Sequence, residues 1–514
     1  MKFLQEKDHL LQRIREHARL DGRQQLNLAF ILSLPSMLAQ ASYIMMEYID
    51  ASMVGSLGAH ASAAIGLVST TIWLFGGLTH SASTGFYVQV AHRIGAGEWA
   101  QARQVMRQSL LSCLSFSLLL AAAGVAISGS LPRWLGADES LWHDASAYFL
   151  VFSLCLPFSQ LNSLAGGMLR SSGNTHVPSL LNILMCLLDV VFNFLLIFPT
   201  RQWHGLTLPG AGLGVLGAVV GTACAYVICS LAMCWFACVR SPQLSLLIDR
   251  GRFLPTADTL RRAFRIALPM GVEHFIMCAA QIVSTIIVAP LGTVAIAANS
   301  FGITVESLCY MPGYGISDAA TTLVGQSLGA RRSRLARSFG RITLMMGIAV
   351  MTVMGVVMYV TAPALMTLMT PDETVRQLTV ECLRIEAFAE PMFAASLVAY
   401  GIFIGAGDTL VPCSMNLLSI WAVRITLASL LASSLGLRGV WIAMAAELCF
   451  RGIIFLLRFR SDKWMGPHAE PPAPAASPHT PDGETAPPAN PADTAHAGPL
   501  SEPAGPWERP EPLE

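Results

Sequence analysis

The chain has 514 residues, 54% of them hydrophobic and only 12% charged, with 32 basic and 32 acidic side chains that cancel. Soluble globular chains carry about 25% charged residues, whereas here the charges crowd into clusters between apolar stretches of roughly 20 to 28 residues, the length that crosses a bilayer. A soluble enzyme is excluded, and the zero balance hides an acidic end: residues 466–514 hold eight acids and Arg509, which leaves the rest at +7.

Residues 1–26 carry charges throughout, from Lys2 and Glu6 to Arg19 and Arg23. They predict a polar cytoplasmic segment without a cleaved signal peptide. Six helical spans follow at 27–54, 62–90, 106–129, 142–169, 177–198 and 213–238. After a loop at 239–262, six more are expected at 263–290, 300–327, 338–361, 378–404, 411–435 and 438–458. From residue 465 to 514 the composition changes, and 14 of the 29 prolines fall there among acids, Ala and Gly. Such a segment cannot bury a core and is expected to be a disordered cytoplasmic tail.

Twelve spans put both ends on one side of the membrane. The N-terminal segment and the connections after spans 2, 4, 6 and 8, with the first turn of the span that follows each, hold 21 of the 32 basic residues, so the positive-inside bias places that side in the cytoplasm. The expectation is a multi-pass protein of the plasma membrane, the inner membrane in a bacterium. The 12 cysteines lie almost wholly in apolar runs without CxxC or Cys/His spacing, as reduced core residues and not metal ligands.

The sequence also matches itself at an offset of 234 residues. Leu34-Pro35 pairs with Leu268-Pro269, Leu57-Gly58 with Leu291-Gly292, Gly95-Ala96 with Gly329-Ala330, Arg107 with Arg341, and Asn182 with Asn416. Six spans per copy is an even number, so the repeats are parallel. The fold class is all-α: a polytopic membrane protein of 12 transmembrane helices in two six-helix lobes, 27–238 and 263–458. This is transporter architecture, with a substrate path between or within the halves. The acids break the symmetry. Asp50 aligns with Ser284, Glu47 with Gln281, Glu273 with Ala39, and Asp189 with Val423. An ionisable group at a helix centre costs on the order of 3 kcal/mol and is tolerated where it faces a cavity or a partner.

These features resemble the multidrug and toxic compound extrusion (MATE) family. The resemblance rests on Leu34-Pro35 with Tyr48-Ile-Asp50 and Val54-Gly-Ser-Leu-Gly58, on Ala319-Ala-Thr-Thr-Leu-Val-Gly-Gln-Ser-Leu-Gly-Ala330, and on Gly405-Ala-Gly-Asp-Thr409. Gly436-Leu-Arg-Gly-Val-Trp441 and Arg458-Phe-Arg-Ser-Asp-Lys-Trp464 complete it, over about residues 26 to 464. It implies two lobes around a central cavity and alternating access. The implied activity is secondary active export of varied, often cationic amphipathic drugs or toxic metabolites, driven by inward flow of H+ or Na+. It implies a monomer in the bilayer with no cofactor, no nucleic-acid partner and no enzymatic step.

Asp50, fifteen residues after Pro35, matches the family's first-helix aspartate. On helix 5 the related bacterial pattern has an asparagine and, four residues later, an aspartate. Here Asp189 and Asn193 carry the two types exchanged, still on one face, which moves the charge by about 6 Å. The resemblance assigns cation or proton coupling to Asp50, Asp189 and Asn193. Glu273, one turn after Pro269, and Glu390, beside Pro391, are the nearest counterparts of its second-lobe acids. Gln40, Glu47, Asn162 and Asp318 complete the residues expected at the substrate or a second cation, Glu47 because it shares a face with Asp50. The alternative for each is a polar clamp between helices, and for Glu273 a side chain reaching water at the membrane edge. Glu447 and Arg451, four apart, are expected to satisfy each other.

Proton coupling requires a carboxyl that titrates near neutral pH, against an ordinary aspartate value near 3.9. Sodium coupling requires both acids ionised, with Asn193 supplying a neutral oxygen. Among rivals, a lipid-intermediate flippase of the same superfamily would bring extra helices and a basic cavity. A major-facilitator transporter would carry a basic loop where His92-Arg-Ile-Gly-Ala-Gly97 stands. A self-contained ATP-driven exporter would need a GxxxxGK[ST] loop, and a membrane enzyme would need a metal cluster or a nucleophile constellation.

Overall fold

The computed structural model describes residues 2–203 and 206–468, so most of the expected tail, 469–514, lies outside the described residues. Helices account for nearly all of the described chain. Helix α1 (Lys2–Arg15) leads to the first lobe: α2 (Gly22–Gly55), α3 (Ala59–Gly95), α4 (Trp99–Ser128), a single turn α5 (Leu131–Trp134), α6 (Glu139–Ser171) and α7 (His176–Ile197). An antiparallel hairpin, β1 (Pro199–Trp203) and β2 (Leu206–Ala211), precedes α8 (Val215–Trp235). The second lobe comprises α9 (Ala257–Val288), α10 (Thr293–Gly329), α11 (Ser333–Met369), α12 (Glu373–Ala387), α13 (Glu390–Ala406), α14 (Leu410–Leu418), α15 (Thr426–Leu435) and α16 (Leu437–Arg460).

Eleven of these helical stretches are long and apolar enough to cross a membrane, or twelve when α12 and α13 count as one span bent by 57°. The bend falls before Glu390-Pro391. Pro391 sits in the first turn of α13, where its missing N–H is no loss, whereas Pro35, Pro157, Pro269, Pro312 and Pro363 lie within continuous helices. Span 11 is interrupted differently, by a π-helical stretch at Ser419–Ile425 between α14 and α15. The helices also outrun the apolar spans, since polar residues beyond the bilayer extend them. Gln24, for instance, accepts a hydrogen bond from the Asp21 N–H at the start of α2 (3.2 Å) and ties back one free donor of that terminus.

The structure adds detail to three readings from the sequence. The polar N-terminal segment is largely helical and docked: Leu10, Leu11 and Ile14 of α1 are buried with Leu28, Leu32, Leu323 and Phe339. Arg332 donates to the carbonyls of Arg13, Ile14 and Ala18, at 3.1, 3.2 and 2.9 Å, supplying the donors that a helix C-terminus lacks. Arg15 lies over the Trp99 ring at 4.7 Å, and burial pulls its guanidinium down to about 10. The interlobe loop is shorter than expected, because α9 begins at Ala257, and it is pinned to α4 by the Arg103–Asp249 ion pair. Met465, expected to open the tail, is buried with Trp464, Phe403 and Phe455, since an apolar pair at the end of the last span finds aromatic surface to cover.

The lobes meet along α2 with α10 and along α3 with α9 and α10. On the face that carries α1 and the end of α16, here the basic face, the crossing of α3 and α10 obeys the repeat. Gly95 presses on the Gln326 carbonyl and Gly329 on the His92 carbonyl, and both the glycines and their partners are 234 residues apart. A Cβ at either glycine would strike backbone that cannot yield. Gly329→Ala should therefore lower the thermal midpoint of the purified protein, by the roughly 1–3 kcal/mol that overpacking costs. Gly76→Ala, where a Cβ meets nothing within 4 Å, should leave it unchanged or slightly higher; thermal unfolding in detergent reads both.

Candidate functional site

Asp50 stands in the last two turns of α2, and Asp189 and Asn193 stand one turn apart on the neighbouring α7. Asn193 Nδ2 donates to Asp50 Oδ1 at 2.9 Å and to Asp189 Oδ2 at 3.1 Å. One amide thus joins carboxyl groups from two helices. Asp189 and Asn193 are 0% and 1% exposed, and Asp50 is half-buried. On its other side Asn193 Oδ1 faces Gly221 of α8 without a hydrogen-bond partner. A side chain at Gly221 would collide with the amide oxygen, so glycine lets α8 close over the site.

Asp50 and Asn193 form part of the wall of a first-lobe cavity of about 520 Å3, whereas Asp189 is not on that wall and sits behind the amide. The exchanged order of the two residues therefore has a structural meaning: the amide faces the cavity and the second charge is kept from it. Tyr43, Tyr148, Phe152 and Tyr226 supply aromatic wall. Glu47, one turn before Asp50, is exposed on the same wall. No lysine or arginine is found among the described residues that line it. Acid and aromatic faces together attract cations.

Gln40, Asn162 and Asp318 come together elsewhere. They line a smaller cavity of about 140 Å3, along with Arg170 and Asn182, and Tyr43 and Tyr226 belong to both cavities. Asp318 of α10 reaches across to α6, its Oδ2 lying 3.7 Å from Arg170 Nε. The sequence expectation of a substrate or cation residue thus meets a carboxylate already facing an arginine.

The second-lobe acids are buried and divide into two kinds. Glu273, expected at the substrate or a second cation with a water-facing side chain as the alternative, is only 6% exposed. Its Oε2 accepts from Tyr400 Oη and its Oε1 from Asn416 Nδ2, each at 2.6 Å, which ties α9 to α13 and α14. Glu390, at the start of α13, is 0% exposed and neither oxygen has a hydrogen-bond partner. The same holds for Glu386, one turn earlier across the break. Glu447 accepts from Ser419 Oγ at 2.6 Å and pairs with Arg451 at 3.2 Å, while Arg424 donates to Met444 Sδ.

Sequence reasoning missed Glu306, which is 7% exposed on α10, and Glu386, although both fall within expected spans. The available signal was the rule that an intramembrane charge needs a reason. The roles of Arg170 and Gly221 carried no local signal.

The MatE family model matches residues 35–195 and again 269–430, one copy on each repeat. A probable multidrug resistance protein NorM of Thermotoga maritima is 25% identical over 439 residues, covering 84% of this chain and 92% of that protein. A solved MATE structure in the straight conformation superimposes with a TM-score of 0.79 at 20% identity, covering 88% of this chain and 97% of the other. The outward-facing structure of a multidrug resistance MATE transporter gives 0.76 at 21% identity, covering 87% and 96%. With the family's pattern present once in each six-helix lobe and more than half of the residues matched, the chain belongs to the multidrug and toxic compound extrusion family.

Proposed function

We propose that the protein exports cationic amphipathic compounds by cation-coupled antiport, with Asp50, Asn193 and Asp189 as the coupling site. One observation carries this reading: a single amide bridges two carboxyl groups at the edge of an aromatic cavity free of described basic residues. Two like charges this close repel, and a bound cation relieves them. When that cation leaves, a cationic substrate in the cavity takes its place as countercharge. The same wall weighs against a lipid-intermediate flippase, which needs a basic cavity for an anionic headgroup.

The orientation of Asn193 supports the proton as the coupling ion. Its amide hydrogens point at both acids, and its oxygen points away toward Gly221. Sodium would require the amide to turn over and present oxygen to the acids, since hard cations take oxygen ligands. The basic face lies in the cytoplasm of a bacterial inner membrane by the positive-inside rule. The site is built within one chain, so a monomer suffices.

Energetics limit the stoichiometry. One pH unit is worth about 1.4 kcal/mol and 100 mV about 2.3 kcal/mol per charge. One proton can thus sustain a several-hundred-fold gradient of a neutral substrate, but one-for-one exchange with a monovalent cation gains only the pH part, about tenfold.

In liposomes, an imposed pH gradient should drive movement of a fluorescent cation, and a sodium gradient alone should not. Asp50→Asn should abolish that movement at unchanged protein level; full transport by this variant would remove Asp50 from the mechanism.

Asp189→Asn should lose transport by at least about tenfold, the effect of roughly 1.4 kcal/mol. Adding Asn193→Asp should restore an appreciable part, because carboxylate and amide then occupy the same small volume in reverse order. Normal transport by the single variant under both gradients would move coupling to the second-lobe acids.

A further inference from the structure

On α10, Asp318, Thr322 and Gln326 are spaced by four and therefore lie along one helix face. All three meet the last turn of α6. Asp318 faces the Arg170 guanidinium at 3.7 Å, Thr322 Oγ1 donates to the Arg170 carbonyl at 3.2 Å, and Gln326 Nε2 donates to the Ser171 carbonyl at 2.7 Å. Since α6 belongs to the first lobe and α10 to the second, this ladder joins the lobes on the side of the basic face.

Its place along the path matters more than its strength. The large cavity that holds Asp50 and the small cavity floored by Arg170 and Asp318 share Tyr43 and Tyr226 as walls. Moving from the large cavity toward the basic face, a solute would pass these tyrosines, enter the small cavity and meet the ion pair. The small cavity is polar: Asn162 and Asn182 line it, and the amide oxygen of each is buried without a hydrogen-bond partner. Unpaired amide oxygens in an enclosed space suit a passage that is periodically hydrated or occupied better than a packed core.

We propose that Arg170 and Asp318 form the inner gate, an interlobe ion pair that closes the path between the coupling cavity and the basic face and must separate when that face opens. The two neutral hydrogen bonds of the ladder exchange readily for water when the lobes part. The ion pair adds what they lack, because its side chains occupy the passage itself and parting them leaves two opposite charges that draw the lobes back together. Side-chain exposures of 18% for Arg170 and 31% for Asp318 leave the pair open to hydration when it breaks. In this role Asp318 is a positioning residue and not a second cation ligand.

The proposal rests on alternating access of the two lobes, and its test needs neither drug nor gradient, so it stands or falls separately from coupling at Asp50. Ser179 lines the small cavity and is 4% exposed, which makes Ser179→Cys a near-isosteric reporter. Vesicles with the basic face outward are treated with a membrane-impermeant maleimide, and labelling is counted above that of the protein with its native cysteines alone. Arg170→Met and Asp318→Asn should each speed labelling by about fivefold, which is roughly 1 kcal/mol at tenfold per 1.4 kcal/mol. Asp318→Glu and Arg170→Lys should stay near the parental rate, and the exchanged pair Arg170→Asp with Asp318→Arg should be slower than either neutral variant. A purely structural contact predicts loss of folded protein without a charge-dependent labelling rate. Parental labelling in the neutral variants overturns the gate. So does fast labelling in folded conservative variants, which also decide the matter if the neutral variants fail to fold.

Discussion

An ionisable group inside a bilayer must meet an opposite charge, a set of hydrogen bonds or a mobile ion, because the hydrocarbon core supplies none of them. The acids in this protein sort by which answer they receive. Glu273 has both oxygens satisfied by Tyr400 and Asn416, and Glu447 has Ser419 and Arg451. Asp318 has Arg170. Asp50 and Asp189 share one neutral amide and no fixed positive charge pairs with either among the described residues, the arrangement on which the proposal of a mobile countercharge rests. Glu386 and Glu390 receive no hydrogen bond at either oxygen, so each lobe keeps acids that its own side chains leave incompletely met.

The same constraint gives the internal duplication its meaning. The two copies keep a common scaffold, including the equivalent crossings of Gly95 with Gln326 and of Gly329 with His92, and differ in where acid is placed. In the first copy, position 39 is alanine and Asp50 of α2 meets Asn193 of α7 beside the aromatic cavity. In the second, Glu273 replaces the position of Ala39 and is locked by hydrogen bonds, while Ser284 stands where Asp50 does. Three further buried acids of the second lobe, Glu306, Glu386 and Glu390, collect around the break between α12 and α13. A shared scaffold thus carries unequal charge in its two copies, and in the proposed mechanism only the first copy exchanges its ion.

Much of this was legible in the sequence. Span length and charge clustering identify the helices, because both depend on local composition, and the 234-residue offset identifies the lobes. The spacing of Asp189 and Asn193 already placed them on one face. What the sequence could not show was depth and partner: that Asn193 faces the cavity with Asp189 behind it, that Gly221 closes over the amide, or that Arg170 meets Asp318 across 148 positions of chain. Those facts arise from the packing of distant helices. The break before Pro391 and the docking of α1 lay between these extremes. Proline marked the first, while the alternation of Leu10, Leu11 and Ile14 with charged residues marked the second as an amphipathic helix, a pattern masked by the density of charge around it.

In the proposed mechanism, substrate and coupling cation compete for the carboxyl pair of Asp50 and Asp189. Calorimetric titration of the purified protein with a cationic drug, repeated in buffers of different ionisation enthalpy and across pH and sodium concentration, tests it most directly. Competition predicts release of about one proton per drug bound and an affinity that weakens as the solution is acidified, the reciprocal linkage required when two ligands share one site. Drug binding that releases no proton and keeps the same affinity at every pH would contradict it.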